Sequence, residues 1–121
     1  MSRIPHDLSN TGWPEFILWL LNRRIRFTVK GSSMFPILKP GDQVLIDPSA
    51  FRRRSPNVGE IVVALHPGGE ALKIIKRVAK VHPDGQLDLQ GENLFETTDY
   101  RAVEPGKILG KVTSIFSAHE D

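Results

Sequence analysis

Two residues of the sequence have surroundings suited to proton transfer and nucleophilic attack: Ser33 and Lys76. Ser33 lies in Gly31-Ser32-Ser33-Met34-Phe35-Pro36, after a strand-like run and ahead of a Pro-Gly turn. Gly31 lets the backbone bend and approach a ligand closely, and Pro36 fixes the chain just beyond the serine. A serine held rigidly there presents a hydroxyl for attack and a backbone N–H for a developing oxyanion. Taken alone, a serine at such a junction is equally at home as a turn or cap residue.

Lys76 stands in Leu72-Lys73-Ile74-Ile75-Lys76-Arg77-Val78. Alternate residues of a strand share a face, so Leu72, Ile74, Lys76 and Val78 lie on one side. A lysine flanked by apolar groups on a core-facing side loses solvation, and its pKa falls. The neutral amine that results is the form able to take a proton from a serine hydroxyl. The bland alternative is an outward face, or an amine that snorkels to water. Lys73 and Arg77 fall on the opposite face, with Ile75. A third polar block follows: Gly91-Glu92-Asn93, then Thr97-Thr98-Asp99-Tyr100-Arg101. Asp99 and Arg101 have the spacing for a charge-assisted pair that pins a loop, and Thr97 or Thr98 has a hydroxyl that can orient a lysine amine. By itself the block reads as an ordinary polar turn.

The elements around these residues are short strands. Residues 1–12 are polar and expected to be poorly ordered. Trp13 to Arg24 reads as an amphipathic helix, with Pro14 and Glu15 suited to its first turn and Trp13, Phe16, Ile17, Leu20 and Leu21 on one face. That face suits packing on the core or, with Arg23 and Arg24, contact with a membrane interface. Residues 25–116 then read as a β-domain, with strands over Ile25–Lys30, Gln43–Asp47, Glu60–His66, Ala71–Val81, Gln86–Gln90 and Ile108–Phe116. Turns fall at Lys39-Pro40-Gly41-Asp42, Pro67-Gly68-Gly69 and Pro83-Asp84-Gly85, the last closing a hairpin. This spacing predicts an all-β barrel or sandwich. The arginine-rich segment 49–58 is expected to be a mobile surface loop.

Composition removes several chemistries. With 121 residues the chain fits one domain and can bury a core without staples. It has no cysteine, which excludes disulfide scaffolds, zinc-thiolate centres and cysteine proteases. Its four histidines show no metal-ligand spacing, although a triad assembled in space remains open. A net charge of +2 is too small to imply nucleic-acid binding. The longest apolar run, Phe16–Leu21, is far shorter than the roughly twenty residues that span a bilayer, and no signal-peptide pattern is present. Expected on these grounds are no metal or cofactor and at most peripheral membrane contact.

Together the three blocks resemble the type I signal peptidase family of serine–lysine proteases. That family carries a Ser-Met-x-Pro box, matched by Ser33-Met34-Phe35-Pro36; a Lys-Arg-Val box, matched by Lys76-Arg77-Val78; and a Gly-Asp-Asn box continuing to Ser-x-Asp-Ser-Arg. Gly91-Glu92-Asn93 and Thr97-Thr98-Asp99-Tyr100-Arg101 match the last. The closing Ile108-Leu109-Gly110-Lys111-Val112 is also similar. Within the family the chain looks most like a compact subgroup associated with maturing nickel-type superoxide dismutase. The likeness lies in Trp-Leu-Leu…Arg-Arg…Phe, Lys39-Pro40-Gly41-Asp42, Val44 to Pro48 and Ile61 to Ala64.

The resemblance implies a coiled antiparallel β-sheet barrel of signal-peptidase/LexA type with one short N-terminal helix. It implies a serine endopeptidase with Ser33 as nucleophile and Lys76 as general base, removing a leader or signal-type peptide. Thr97 would support the lysine amine, and the Ser33 amide would stabilise the oxyanion. Gly31, Met34, Pro36, Asn93, Asp99 and Arg101 would be structural at the site. The implied partner is a protein with an N-terminal leader, such as a nickel-type superoxide dismutase precursor. The family's bacterial members usually carry one or two transmembrane anchors and no such segment is visible in this sequence, so the expected meeting place is the cytoplasm or a membrane surface. Some departures bear on this. Gly31 stands where some members have an oxyanion-assisting serine, Glu92 and Thr97 replace an aspartate and a serine, and Tyr100 replaces a serine. Competing expectations are general signal-peptidase processing, a LexA-type self-cleaving regulator and a non-catalytic peptide-binding β-domain. The self-cleaving regulators cut an Ala-Gly or Cys-Gly bond ahead of their serine, and the sequence contains neither.

Overall fold

The computed structural model describes residues 24–68, 71–95 and 98–117. The amphipathic segment expected over 13–24 lies outside these except for Arg24, as do Thr97 and the N-terminal residues 1–12.

Seven strands form one antiparallel sheet: β1 (Ile25–Thr28), β2 (Gln43–Asp47), β3 (Ile61–Leu65), β4 (Lys73–Val81), β5 (Leu87–Gln90), β6 (Tyr100–Val103) and β7 (Ile108–Phe116). Their spatial order is β1-β2-β7-β3-β4-β5-β6. The predominantly β class follows expectation, but the sheet is not closed into a barrel: among the described residues β1 pairs with β2 alone and β6 with β5 alone. Register shifts between Leu45 and Ile46, Val63 and Ala64, Val78 and Lys80, and Leu87 and Leu89 coil it instead. Such bulges increase local twist.

Coiling gives the central strands two buried faces. One core gathers Val29, Met34, Leu38, Val44, Ile46, Val63 and Ile75; the other gathers Val62, Ala64, Val78, Leu87, Leu89 and Val103. Successive residues of β3, Val62-Val63-Ala64, therefore alternate between cores. This accounts for its unbroken apolar run where a half-exposed strand would alternate with polar residues. The same alternation sends Ile75 to the first core and Ile74 and Val78 to the second.

The β4–β5 hairpin forms as the turn signal predicts. Gly85 is left-handed (φ 93°), its N–H donates to the His82 carbonyl at 2.9 Å, and the Gln86 N–H donates to Asp84 Oδ1 at 3.0 Å. Segment 49–58 is tied down, contrary to the expectation of a mobile loop. Phe51 packs on the second core and Pro56 is buried. Arg54 lies 5.2 Å from the Phe51 ring centre and holds Glu60 Oε2 at 2.8 Å. The Arg54 hydrogen bond comes first among the causes that lower the Glu60 pKa to about 2.

Candidate active site

Ser33 sits in the connection between β1 and β2. Two flanking side chains anchor this turn: Met34 and Leu38 are fully buried in the first core, each burial contributing about 1.5–3 kcal/mol. The Phe35 N–H donates to the Ser32 carbonyl at 3.0 Å and the Leu38 N–H to the Met34 carbonyl at 2.9 Å. The Phe35–Pro36 peptide is cis. Further on, the Gly41 N–H donates to the Val29 carbonyl and the Val29 N–H to the Asp42 carbonyl, both at 2.8 Å, closing the base of the loop. The serine is thus carried on a plug inserted into the core.

The Gly91–Asn93 segment clamps this plug. The N–H groups of Glu92 and Asn93 donate to the Ser33 carbonyl at 2.7 and 2.8 Å, and Asn93 Nδ2 donates to the Ser32 carbonyl at 2.9 Å. Glu92 reaches the other way, its carboxylate accepting from Arg77 Nε at 2.5 Å. Arg77 also donates to the Gly59 carbonyl at 2.7 Å. One short segment therefore ties the serine turn to the strand that carries Lys76. The glutamate at position 92 has the length for that bond.

Lys76 is one of two buried charged residues among those described, 4% exposed. It pairs with Val62 across the β3–β4 ladder, between Ile74 and Val78 on its own face. Burial pushes its ammonium below the ordinary lysine range, and the field of Asp99 works in the opposite direction. The amine lies 5.7 Å from the Tyr100 ring centre, within cation–π range. His66 packs edge-on against that ring, centres 5.3 Å apart. Tyr100 thus lies against Lys76, a position that the sequence marked only as an unexplained replacement of serine.

Ser33 and Lys76 line one cleft of about 1200 Å³. One wall comes from Phe27, Thr28 and Lys30 to Ser33, the other from Ala71 to Lys76, with Phe95, Thr98 and Tyr100 at the end. No direct hydrogen bond joins the two side chains, both of which are described. The Ser33 N–H is not taken up by any hydrogen bond among the described residues. A side chain at Gly31 would meet nothing within 4 Å, so this side of the cleft is open. Among the described residues both walls carry unpaired backbone edge: β1 pairs only with β2, and Lys73 to Lys76 pair only with β3, since β4–β5 pairing begins at Arg77.

Of the expected supporting residues, Asn93, Met34 and Gly31 meet at the serine turn. Asp99 and Arg101 are both exposed and no ion pair joins them. What Asp99 touches electrostatically is Lys76. Thr97 lies outside the described residues, whereas Thr98 is on the cleft wall. Among the described residues no three histidine, aspartate or glutamate side chains converge on a metal position, and no helix is long and apolar enough to cross a membrane.

A seven-stranded coiled β-domain with a serine and a buried lysine on one cleft has the character of a serine-type peptidase. The chain matches the Peptidase S24-like family model over residues 18–113 and belongs to that family. The family falls in the LexA and signal-peptidase superfamily. The expected relationship to type I signal peptidases therefore holds at superfamily level, and the family itself is the S24-like one. Nothing in the match points to the dismutase-maturing subgroup. No curated protein matches the chain.

Proposed function

We propose that the protein is an endopeptidase in which Ser33 attacks the scissile carbonyl and Lys76 is the general base. The observation that carries this reading is the placement of a core-anchored serine and a desolvated lysine on the same open cleft. The neutral Lys76 amine takes the Ser33 Oγ proton as Oγ bonds to the carbonyl carbon. The Ser33 N–H stabilises the oxyanion. Collapse breaks the C–N bond, and the departing amine takes the proton from Lys76. Water, deprotonated by the same amine, then cleaves the ester and frees Ser33. In this reading Thr97 orients the amine. The substrate lies extended, adding a strand to either open edge of the cleft. Its biological substrate is a leader-bearing precursor, and the resemblance of the sequence makes nickel-type superoxide dismutase the first to try.

Self-cleavage is the second reading, favoured by the family match and disfavoured by the lack of an Ala-Gly or Cys-Gly bond. Incubation of the purified chain with precursor peptides, analysed by mass spectrometry, separates the two. The expected result is cleavage in trans, lost by about 10³-fold or more in Ser33→Ala and Lys76→Ala, with circular dichroism unchanged. kcat/KM should rise with pH along a limb centred below the ordinary lysine value of 10.5. Undiminished turnover by Ser33→Ala overturns the proposal.

A further inference from the structure

The cleft carries a charge imbalance that the catalytic dyad does not use. Among the described residues its lining includes, besides Lys76, Lys30 and Lys73, and no carboxylate. Lys30 and Lys73 are exposed and stand on opposite walls, one on the serine side and one on the β4 side. Neither forms an ion pair with a described residue, whereas Arg77 and Arg54 each have a carboxylate partner. The field of Asp99 falls on Lys76.

Position along the cleft follows from chain spacing. Lys73 precedes Lys76 by three strand residues, a rise of about 10 Å, and Lys30 precedes Ser33 by three residues through a bend, a span of at most about 10 Å. An extended peptide crossing the cleft therefore brings a side chain about two to four residues from the scissile bond between the two ammonium groups. Phe27, Leu72, Ile74 and Phe95 flank that path. Two ammonium groups facing one carboxylate offer it charge-assisted hydrogen bonds. The same two ammonium groups repel a basic side chain, so discrimination acts in both directions.

We propose that the cleft selects peptides bearing an aspartate or glutamate about two to four residues from the cleaved bond, held between Lys30 and Lys73. The selection concerns the substrate of the peptidase reading above and rests on it, but binding can be measured without cleavage. The test uses full-length Ser33→Ala protein and fluorescein-labelled peptides of small and apolar residues. Each carries one Glu, or Gln or Lys in its place, scanned along the peptide. Fluorescence anisotropy should show Glu peptides binding ~10-fold or more tighter than Gln peptides at one or two adjacent positions. That preference should fade from roughly 0.05 to 0.5 M salt. Lys30→Glu and Lys73→Glu, both exposed sites, should shift the preference towards the Lys peptide while circular dichroism stays unchanged. Equal binding of Glu and Gln peptides, no binding of Glu peptides, or a preference that survives both substitutions overturns the proposal. Acid-selective binding without any cleavage by the unsubstituted chain would instead remove the peptidase reading and leave acidic recognition standing.

Discussion

At the scale of the residue, the central quantity is the protonation of Lys76. Its native-state pKa lies below the ordinary value because burial penalises the ammonium, with Asp99 opposing. Between the depressed native pKa and 10.5 the unfolded chain binds more protons than the native one, so stability rises with pH through that window. Below it the full penalty applies; above it the penalty is gone. Lys76→Met keeps the length and removes the titration, and replacing a buried charge by an apolar group tends to stabilise. The variant should therefore resist urea better than the unsubstituted protein at pH 6, with an advantage that shrinks as pH approaches 10. Urea midpoints across that range check this, and a pH-independent difference would sink the assignment of a depressed pKa. The strand period identified the apolar face of Lys76 in advance, because alternation depends only on local chain geometry. Tyr100 was not legible in the same way. Its contact with the lysine comes from β6 and is made by folding, so no local pattern announces it.

At the scale of the element, the Gly91–Asn93 segment explains why three distant boxes occur together. Glu92 grips Arg77 beside the lysine, and Asn93 grips the two carbonyls around the serine. Asn93→Ala removes the side-chain bond to Ser32 at about 1 kcal/mol of stability. It also frees the turn that carries Ser33, the proposed nucleophile, where small displacements would be costly. We expect kcat to fall ~10- to 100-fold with KM little changed; a rise in KM alone would mean that Asn93 serves binding and not aim. The strands themselves were mostly readable. Gln43–Asp47 and Ile108–Phe116 stand at the bounds their apolar pattern indicates, and four others differ only at their ends. The missing element is β6, read as part of a polar turn. It is four residues long, has exposed Arg101 and Ala102 at its centre, and holds Ala102 in the left-handed region at φ 55°. An edge strand of that kind has no alternation to detect. Segment 49–58 misled for the opposite reason: its arginines dominate the composition, while Phe51 and Pro56 do the packing.

At the scale of the whole molecule, β7 is the strand on which the two halves of the sheet meet. It pairs with β2 on one side and β3 on the other, so the turn that carries Ser33 and the strand that carries Lys76 reach each other through it. Periodicity could not foresee this, because the last strand in sequence is inserted between the second and third. Only resemblance to whole families linked the serine to the lysine. The insertion is tight at Gly110, which is buried opposite Val63. A β-carbon there would collide with Ile46 Cγ2 and stand 2.8 Å from the Asp47 carbonyl oxygen. Ile46 is itself in the first core and 4% exposed, and the carbonyl is backbone, so neither can yield without moving β2. Gly110→Ala should cost about 2–3 kcal/mol and lower the thermal midpoint by roughly 10 °C or more. On the proposed mechanism its surviving folded fraction should also lose activity, since β2 is pushed from β7 between the turn of Ser33 and the strand of Lys76. Gly106→Ala is the matched control: nothing lies within 4 Å of its added carbon, and its effect should stay within about 0.5 kcal/mol. Urea denaturation of both variants decides the matter. If Gly110→Ala proves as stable as Gly106→Ala, the close approach of β2 and β7 is not what holds the halves in register.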